Sequence, residues 1–354
     1  MMLSRRLGAV ILGAGAALAI AAGAACSHSY AEGAQADGAA PEASPTEDAP
    51  SEAAIDADAA TGDAARNPTF IELATGLTDL AGIAATETDV YFTELAPGNV
   101  SSVPIAGGGV STIVTKTGAP GPIVVAGGFV FWGDTGAAML NRRALVDGSL
   151  TTTTLAPGKN PRAMAASADR LVVTIPLGPS GGEMQQYAFD FTAGAPVVGL
   201  ANPFDVAVAG ASIYWTESSG ARIGIGAIGN ATNQQLAMSE TGCESIAANA
   251  AGVYWTRPDD GLVRTATLDG AAGATTLAAK ELAPMSVTAD ETDVYWLTGD
   301  GLLRRKTLRQ ELPPATLAKG FSSTFIDKRV RAIALTSKYV VWITTDGRVL
   351  RTDR

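Results

Sequence analysis

Apolar residues recur along most of this chain with a fixed internal spacing. Seven times an apolar residue is followed, nine residues later, by a second apolar or aromatic residue, and successive second residues lie 40 to 46 positions apart. The pairs are Ile83/Phe92, Ile123/Trp132, Met164/Val173, Val206/Trp215, Ile246/Trp255, Val287/Trp296 and Ile333/Trp342. A repeat of this length with several short strands is typical of a β-propeller blade. The pattern therefore predicts an all-β protein, a seven-bladed β-propeller.

The repeats before the last contain four short runs rich in β-branched residues, separated by turn sequences. The fifth repeat shows them most clearly, as Ser245–Ala248, Val253–Thr256, Leu262–Thr265 and Ala274–Leu277. Asp260-Gly261 stands between the second and third runs, where a tight turn needs the positive φ that glycine adopts without strain. Each repeat is therefore predicted to form one four-stranded antiparallel sheet.

The third repeat is the weakest copy. Val173 replaces the aromatic residue of the pattern, and Pro179–Gly182 lengthens the hairpin that follows it. A six-bladed propeller with an irregular insert is therefore the alternative to seven blades.

The two ends of the repeat region indicate how the ring closes. The last repeat offers three runs, Ala332–Leu335, Tyr339–Thr344 and Arg348–Arg351, whereas Thr69–Ala74 has strand composition and precedes the first repeat. Closure of a propeller removes an exposed sheet edge. We therefore expect the N-terminal run to supply the fourth strand of the last blade.

One motif within the repeats has a known counterpart. Tyr254–Gly270 resembles the YWTD repeat of low-density-lipoprotein-receptor class B β-propellers, and it is similar to repeats of secreted bacterial propeller lipoproteins of unknown role. The resemblance extends over most of Thr78–Arg354 and implies a fold rather than a chemistry. YWTD propellers have six blades, and their acidic fourth motif position is only partly kept here. That position holds Glu94, Asp134, Ile175, Glu217, Arg257, Thr298 and Thr344.

The first 25 residues have the pattern of a signal peptide. Arg5-Arg6 precedes an uncharged run, Leu7–Ala25, that ends in small residues. Gly23-Ala24-Ala25-Cys26 resembles the lipobox of bacterial lipoproteins, which implies lipidation of Cys26. Simple cleavage at an Ala-x-Ala site, or retention of the segment as a membrane anchor, is the alternative. We predict a lipoprotein of the bacterial cell envelope, anchored through its N-terminal lipid and facing the periplasm or the cell surface.

Residues 26–67 differ in composition from the rest of the chain. They are rich in Ala, Gly, Pro and Ser, with almost no large apolar side chains, and carry most of the formal net charge of −10. Such a segment buries too little surface to offset its ordering entropy, so we predict a disordered tether. Residues 68–354 then form the propeller, with a formal charge of −4 that does not suggest a nucleic-acid partner.

Candidate catalytic chemistry is limited by a single histidine, His28, which lies in the predicted tether. The propeller region therefore offers no Ser-His or Cys-His pair and no histidine ligand for a metal. We predict no cofactor and favour a non-enzymatic role. The alternative is a carboxylate- or metal-dependent hydrolase or lactonase, with Asp205, Glu244 and Asp134 around a divalent cation.

The residues just before each inner strand vary although the scaffold repeats, as a binding site added to a repeat would. Arg162, Asp205, Glu244 and Arg331 are the candidate ligand-binding residues at these positions. Ordinary solvated loop charge is the alternative. We predict a monomeric binding or scaffold propeller for a protein or glycan partner.

Three further groups of residues have a structural and a functional interpretation. The tryptophans recur in register, which favours packing between blades over sugar stacking. Cys243 takes the place of a loop proline and is predicted to be a buried, inert thiol. Acids follow the second strands of six blades and predict either a cation-binding ring or simple turn preference. They are Glu94, Asp134, Glu217, Asp259, Asp260, Asp300 and Asp346.

Overall fold

The computed structural model describes residues 70–322 and 332–354. Within them, strands β1 to β28 form seven four-stranded antiparallel sheets, and the helical part is a single 3-10 turn, Pro258–Asp260. The predicted seven-bladed propeller is confirmed, and the six-bladed alternative is wrong. Six sheets use four consecutive strands, and the seventh is closed by β1.

The strand bounds follow the predicted runs within one or two residues. The closing strand is β1 Ile71–Ala74, and blade one comprises β2 Leu80–Ala85, β3 Asp89–Glu94, β4 Asn99–Pro104 and β5 Ser111–Val114. Blade two comprises β6 Pro120–Ala126, β7 Phe129–Asp134, β8 Met139–Ala144 and β9 Leu150–Thr154. Blade three comprises β10 Ala163–Ala166, β11 Arg170–Pro176, β12 Gly182–Ala188 and β13 Val197–Leu200. Blade four comprises β14 Pro203–Ala209, β15 Ser212–Glu217, β16 Arg222–Ala227 and β17 Gln234–Met238, and blade five comprises β18 Ile246–Ala248, β19 Val253–Arg257, β20 Leu262–Ala266 and β21 Thr275–Ala278. Blade six comprises β22 Val287–Ala289, β23 Asp293–Leu297, β24 Leu302–Thr307 and β25 Ala315–Lys319. Blade seven comprises β26 Ile333–Leu335, β27 Tyr339–Ile343 and β28 Val349–Asp353, together with β1.

The nine-residue spacing in the sequence corresponds to cross-strand pairing. All seven predicted pairs are direct partners between the first and second strands of their blades, as in Ile246 opposite Trp255. A short turn joins the two strands, so the hairpin geometry fixes the spacing. All five tryptophans are completely buried, which confirms their predicted role in packing the blades.

Three of the tryptophans are held by a buried glutamate. The indole N–H of Trp255 donates to Glu240 at 2.9 Å, and that of Trp296 donates to Glu281 at 3.1 Å. An arginine of the same blade also pairs with each glutamate; Arg304, for example, lies 3.2 Å from Glu281. Blade four holds Trp215 in the same way through Glu217 and Arg222. Since Glu240 and Glu281 precede the blades that they contact, they couple neighbouring blades.

The third blade is complete although its sequence pattern is weak. Val173 occupies the tryptophan position and pairs with Met164, and both side chains are buried. The lengthened hairpin is accommodated between β11 and β12, whose pairing runs without a shift from Arg170 to Pro176. The periodic spacing therefore predicted this blade correctly although the aromatic residue is absent.

Strand β1 closes the ring as predicted. Ile71 pairs with Arg351 and Ala74 with Val349, in antiparallel orientation. Leu73 is buried, and the ring of Phe70 lies 6.0 Å from the ring of Trp342. The described part of the predicted run Thr69–Ala74 thus belongs to blade seven.

Several predictions fall on residues outside 70–322 and 332–354. These are the signal peptide (residues 1–25), lipidation of Cys26, the tether up to residue 67 and the candidate ligand residue Arg331. In the part of the chain that the structure describes, no helix has the length and apolarity needed to cross a membrane.

Candidate functional site: the entry face of the propeller

The three predicted ligand residues that the structure describes, Arg162, Asp205 and Glu244, lie at one edge of the sheets, which we call the entry face. It consists of the loops that lead from the last strand of one blade into the first strand of the next, and of the turns between second and third strands. Consecutive antiparallel strands place these two sets of loops at the same end of the blades. The turns between first and second strands and between third and fourth strands form the opposite exit face.

The motif threonine organises the entry face. The Thr216 hydroxyl accepts a hydrogen bond from the Asp205 N–H at 3.0 Å and donates to the Glu244 carbonyl at 2.7 Å. In blade one, the Thr93 hydroxyl donates to the Gly121 carbonyl at 2.7 Å. The threonine of the Tyr-Trp-Thr pattern therefore links its own blade to the loop of the next one.

Asp205 lies between blades four and five and is only 5% exposed. Its Oδ1 accepts the Val206 N–H at 2.8 Å, and its Oδ2 accepts the Ser245 hydroxyl at 3.1 Å and the Ile246 N–H at 3.0 Å. A buried carboxylate needs such donors to offset the loss of its hydration. These bonds give Asp205 a positioning role at the blade junction, and its predicted contact with a ligand stays a prediction.

In blades five and six, the residue at the position of Asp205 also bonds to the main chain of the next blade. The Ser245 hydroxyl accepts the Val287 N–H at 3.1 Å, and the Ser286 hydroxyl accepts the Ala332 N–H at 3.0 Å. Each acceptor directly precedes the apolar anchor of its inner strand. Blades four to seven are therefore linked by successive side-chain to main-chain hydrogen bonds around the entry to the central channel.

Arg162 extends from blade three towards the loop of blade four. Its guanidinium lies 4.4 Å from the ring centroid of Phe204 and donates to the Asn202 side-chain oxygen at 3.0 Å. Stacking on an aromatic face orients the planar guanidinium while leaving part of it accessible. Arg162 also lines a cavity on this face.

This cavity has a volume of about 270 Å³ and spans blades one to three. Its wall is mostly apolar and has few flexible side chains. The lining residues are Ala81, Leu95, Gly121, Pro122, Thr135, Asn160, Pro161, Arg162 and Pro176. A preformed apolar surface with a few polar groups is the usual composition of a binding pocket.

Glu244 is half-buried at the start of blade five. Its N–H donates to the Thr256 carbonyl at 3.0 Å, and its own carbonyl accepts the Thr216 hydroxyl. It is the chain neighbour of Ser245, which binds Asp205. The structure thus brings Glu244 and Asp205 to the same blade junction, whereas Arg162 lies at the preceding one.

Three of the turn acids do not form an exposed ring. Glu94, Asp134 and Glu217 are buried at the ends of their second strands. Their carboxylates accept the N–H groups of Thr78 (3.0 Å), Ala119 (3.1 Å) and Ala201 (2.7 Å), which lie in the loops entering the same blades. Glu94 and Glu217 each fix an entry loop, and Asp134 does so while it also accepts the N–H groups of Gly136 and Ala137 in its own turn.

Blade five also fixes its entry loop from this position, but with a basic side chain. Arg257 replaces the acid, and its Nε donates to the Thr241 carbonyl of the entry loop at 3.1 Å. The sequence shows the substitution at this position, but the role becomes visible only when the loop lies beside it. The side chain at the fourth motif position can therefore be acidic or basic and still fix the entry loop.

The predicted metal alternative finds no support in the side-chain arrangement. Within residues 70–322 and 332–354, no group of three or more histidine, cysteine, aspartate or glutamate side chains is placed to hold a metal ion. Asp134 Oδ1 accepts three main-chain N–H groups, and Asp205 is bonded as described above. The trio Asp134, Asp205 and Glu244 therefore does not form a metal centre.

Cys243 is completely buried beneath the entry loop of blade five. Burial raises the pKa of its thiol to about 12, and its sulfur lies 3.7 Å from the carbonyl oxygens of Glu217 and Arg222. Since the thiolate is the reactive form, the thiol is inert at neutral pH. The predicted buried cysteine is confirmed.

Comparison with known proteins gives structural similarity alone. No family model and no curated protein matches the sequence. A streptogramin B lyase structure has a TM-score of 0.66 at 14% identity, covering 81% of this chain and 97% of its own. Virginiamycin B lyase from Staphylococcus aureus has a TM-score of 0.65 at 13% identity, covering 81% and 98%. The WD40 β-propeller domain of Doa1 has a TM-score of 0.64 at 11% identity, covering 80% and 96%.

The shared feature is the β-propeller fold. Identities of this size carry no information on activity, because one propeller scaffold hosts unrelated functions. The resemblance to YWTD repeats accordingly continues to rest on the sequence motif around Tyr254–Gly270.

Proposed function

We propose that this protein is an exported, membrane-anchored lipoprotein whose propeller binds a protein partner through the entry face without catalysing a reaction. The cavity beside Arg162 carries the proposal. It is preformed by prolines and small residues, and it ends at an arginine already oriented by Phe204. An apolar side chain next to a carboxylate on the partner would match this surface.

A protein partner fits the surface better than a glycan does. Sugar-binding sites commonly present an aromatic face to the ligand, whereas all five tryptophans of this protein are buried between blades. The cavity offers proline rings and aliphatic carbons instead. Such surfaces pack well against apolar side chains of a peptide segment.

The similar lyases add a further enzymatic possibility to the predicted hydrolase or lactonase. One of the similar solved structures is a catalytically inactive histidine-to-alanine variant of the S. aureus lyase with quinupristin. The single histidine of this chain is His28, outside the predicted propeller. The predicted propeller, residues 68–354, therefore lacks the residue type that this inactive variant has lost, and we favour binding over lyase chemistry.

Charge reversal at the cavity tests the proposal. Complexes of the wild-type protein and of Arg162→Glu would be isolated from solubilised envelopes and compared. Arg170→Glu is the matched control, because Arg170 begins the second strand of the same blade and pairs only weakly with Asp169, at 3.7 Å. We expect Arg162→Glu to lose a partner that Arg170→Glu keeps. Retention of the same partners by both variants would refute a role for the cavity.

A further inference from the structure

A second cavity lies between blades one and two on the exit side of the propeller. Its volume is about 430 Å³, and its surface is more polar than that of the entry-face cavity. The inner part of the same interface is filled by an apolar cluster that includes Tyr91, Val130 and Trp132. The outer part is not filled in this way, so the two sheets leave a polar space between them.

The wall from blade one is a row of hydroxyl groups. Tyr91 pairs with Ser102, and Ser102 pairs with Ser111, so the three residues lie side by side across strands β3, β4 and β5. Thr112 also lines the cavity. At the interface between blades four and five, the residues matching Tyr91 and Ser102 are Tyr214 and Ile225, which pack against an apolar cluster. Blade five has a similar row, Tyr254, Thr265 and Thr275, but there the tyrosine hydroxyl donates to Asn249 within its own blade.

The wall from blade two contributes a cation. Arg143 pairs with Val130 across β7 and β8, which places it opposite the hydroxyl row. The matching positions of the other blades hold Val103, Tyr187, Gly226, Ala266, Lys306 and Thr352. Lys306 is tied to the carbonyls of its own hairpin. An arginine at this point is therefore a departure from the repeat.

Arg143 lines this space, and its hydrogen bond to the described residues stays within its own hairpin. Its Nε donates to the Gly148 carbonyl at 3.3 Å, and among the described residues no carboxylate lies within ion-pair distance of it. Asp147 lies at the exposed rim, where its Oδ1 accepts the Ser149 N–H at 2.9 Å. The bond from Ser149 lowers the pKa of Asp147, so this carboxylate stays ionised and engaged in its own turn.

Tyr91 adds a neutral donor. Its pKa is raised by burial and by the charge of Asp89, while Arg143 acts in the opposite direction. The tyrosines of blades four, five and six use their hydroxyls within the protein, with Leu268, Asn249 and Arg354 as partners. In blade one the phenol lines the cavity instead.

We propose that this cavity binds a small oxyanion, a carboxylate or a phosphate group, through the Arg143 guanidinium and the hydroxyls of Tyr91, Ser102 and Ser111. Arginine pairs with both groups through two parallel N–H donors, and hydroxyls complete the coordination of the remaining oxygens. The volume accommodates a small metabolite or one acidic group of a larger molecule. The site lies at the exit side, so it is independent of the entry-face function.

Calorimetric titration of the full protein in detergent, at constant ionic strength, tests this site. Inorganic phosphate and citrate are the two probes, used up to about 10 mM so that a Kd near 1 mM is detectable. We expect saturable binding of at least one probe and a loss of affinity of about tenfold in Arg143→Gln, since a hydrogen-bonded charge pair is removed. Arg309→Gln is the control, because Arg309 is an exposed arginine on the equivalent hairpin of blade six.

Binding of phosphate alone, or of citrate alone, assigns the oxyanion class and supports the site in either case. Tyr91→Phe keeps the packed ring and removes the hydroxyl, so it provides a second test should Arg143→Gln fail to fold. Weaker binding by Tyr91→Phe at an unchanged melting temperature supports the site. Absence of saturable binding, or equal affinity in wild type and the folded variants, would overturn it.

Discussion

Asp205, Ser245 and Ser286 occupy one position of three successive blades and perform one task. Each accepts a main-chain N–H from the next blade. Their side chains differ in charge, so the shared requirement is an acceptor of short reach. The position was recognisable in the sequence as the residue before each inner-strand anchor. Its role was not, because the donor N–H belongs to the next blade, 41 to 46 residues further along the chain.

The acids after the second strands also occupy positions that the sequence predicts, with roles that it does not predict. Their positions follow from the repeat, and Asp300 and Asp346 accept bonds from the threonines two residues earlier, as expected for turns. Glu94 and Glu217 instead turn inward to the entry loops. Composition could not separate the two groups, since the choice depends on which N–H the folded loop presents.

Cys243 provides a prediction at this scale. In a Cys26→Ala background it is the one remaining thiol. We expect no reaction with maleimide at pH 7 until denaturant is added, because burial raises its pKa to about 12 and excludes the reagent. A Val146→Cys variant, at a site that is 96% exposed, should react at once in the native protein. Rapid native labelling of Cys243 would contradict its burial.

At the level of elements, a buried glutamate joins the loop before each of blades five and six to the blade itself. Glu281 accepts the Trp296 indole and pairs with Arg304. Removing one member of a buried pair leaves the other charge without compensation. We expect Glu281→Ala to lower the free energy of unfolding by about 3 kcal/mol in urea denaturation.

Glu311→Ala is the matched control, since Glu311 is exposed on the same blade and should change stability by less than about 0.5 kcal/mol. Equal unfolding midpoints for the two variants would show that Glu281 does not couple the blades.

The closing strand yields a second prediction for elements. Variants beginning at Arg66 and at Gly76 differ by β1, whose Phe70 and Leu73 pack into blade seven and whose Glu72 pairs with Arg348 at 2.9 Å. Ile71 is 53% exposed and contributes less than its hydrophobicity suggests. We expect loss of β1 to cost on the order of several kcal/mol and to lower the melting temperature clearly. Similar melting of both variants would contradict closure by β1.

Strand positions were predictable because the repeat supplies seven independent copies of the same pattern. A run that is ambiguous alone, such as the one around Val173, is fixed by its neighbours at the same spacing. Strand ends were less predictable. The run Ser245–Ala248, for example, begins as β18 only at Ile246, and the Ser245 N–H donates to the Thr256 hydroxyl instead of a main-chain carbonyl.

For the whole molecule, the fold follows from the sequence far more completely than the function does. Register and closure are set by packing, which every blade repeats. A binding site consists of residues that differ from the repeat, such as Arg162 and Arg143. Such a difference identifies a position but does not identify the ligand that it binds. The lining of a cavity by residues from three blades is visible only in the folded chain.

Anchoring of the whole protein gives a separate prediction. Cys26→Ala should move the protein from the membrane fraction to the soluble fraction, because the lipid on this residue would supply most of the membrane affinity. Ser27→Ala is the control, since it leaves the thiol in place. Unchanged membrane association of Cys26→Ala would contradict lipidation at this residue.

The most direct test of the binding role is site-specific photo-crosslinking in the cells that make the protein. A photoreactive phenylalanine would replace Asn160, which lines the entry-face cavity, or Leu312, which is 64% exposed on an exit-face hairpin. The account predicts a discrete protein adduct from position 160 that is lost when Arg162→Glu is added, and no such adduct from position 312. Equal adducts from both positions, or none from position 160, would contradict it.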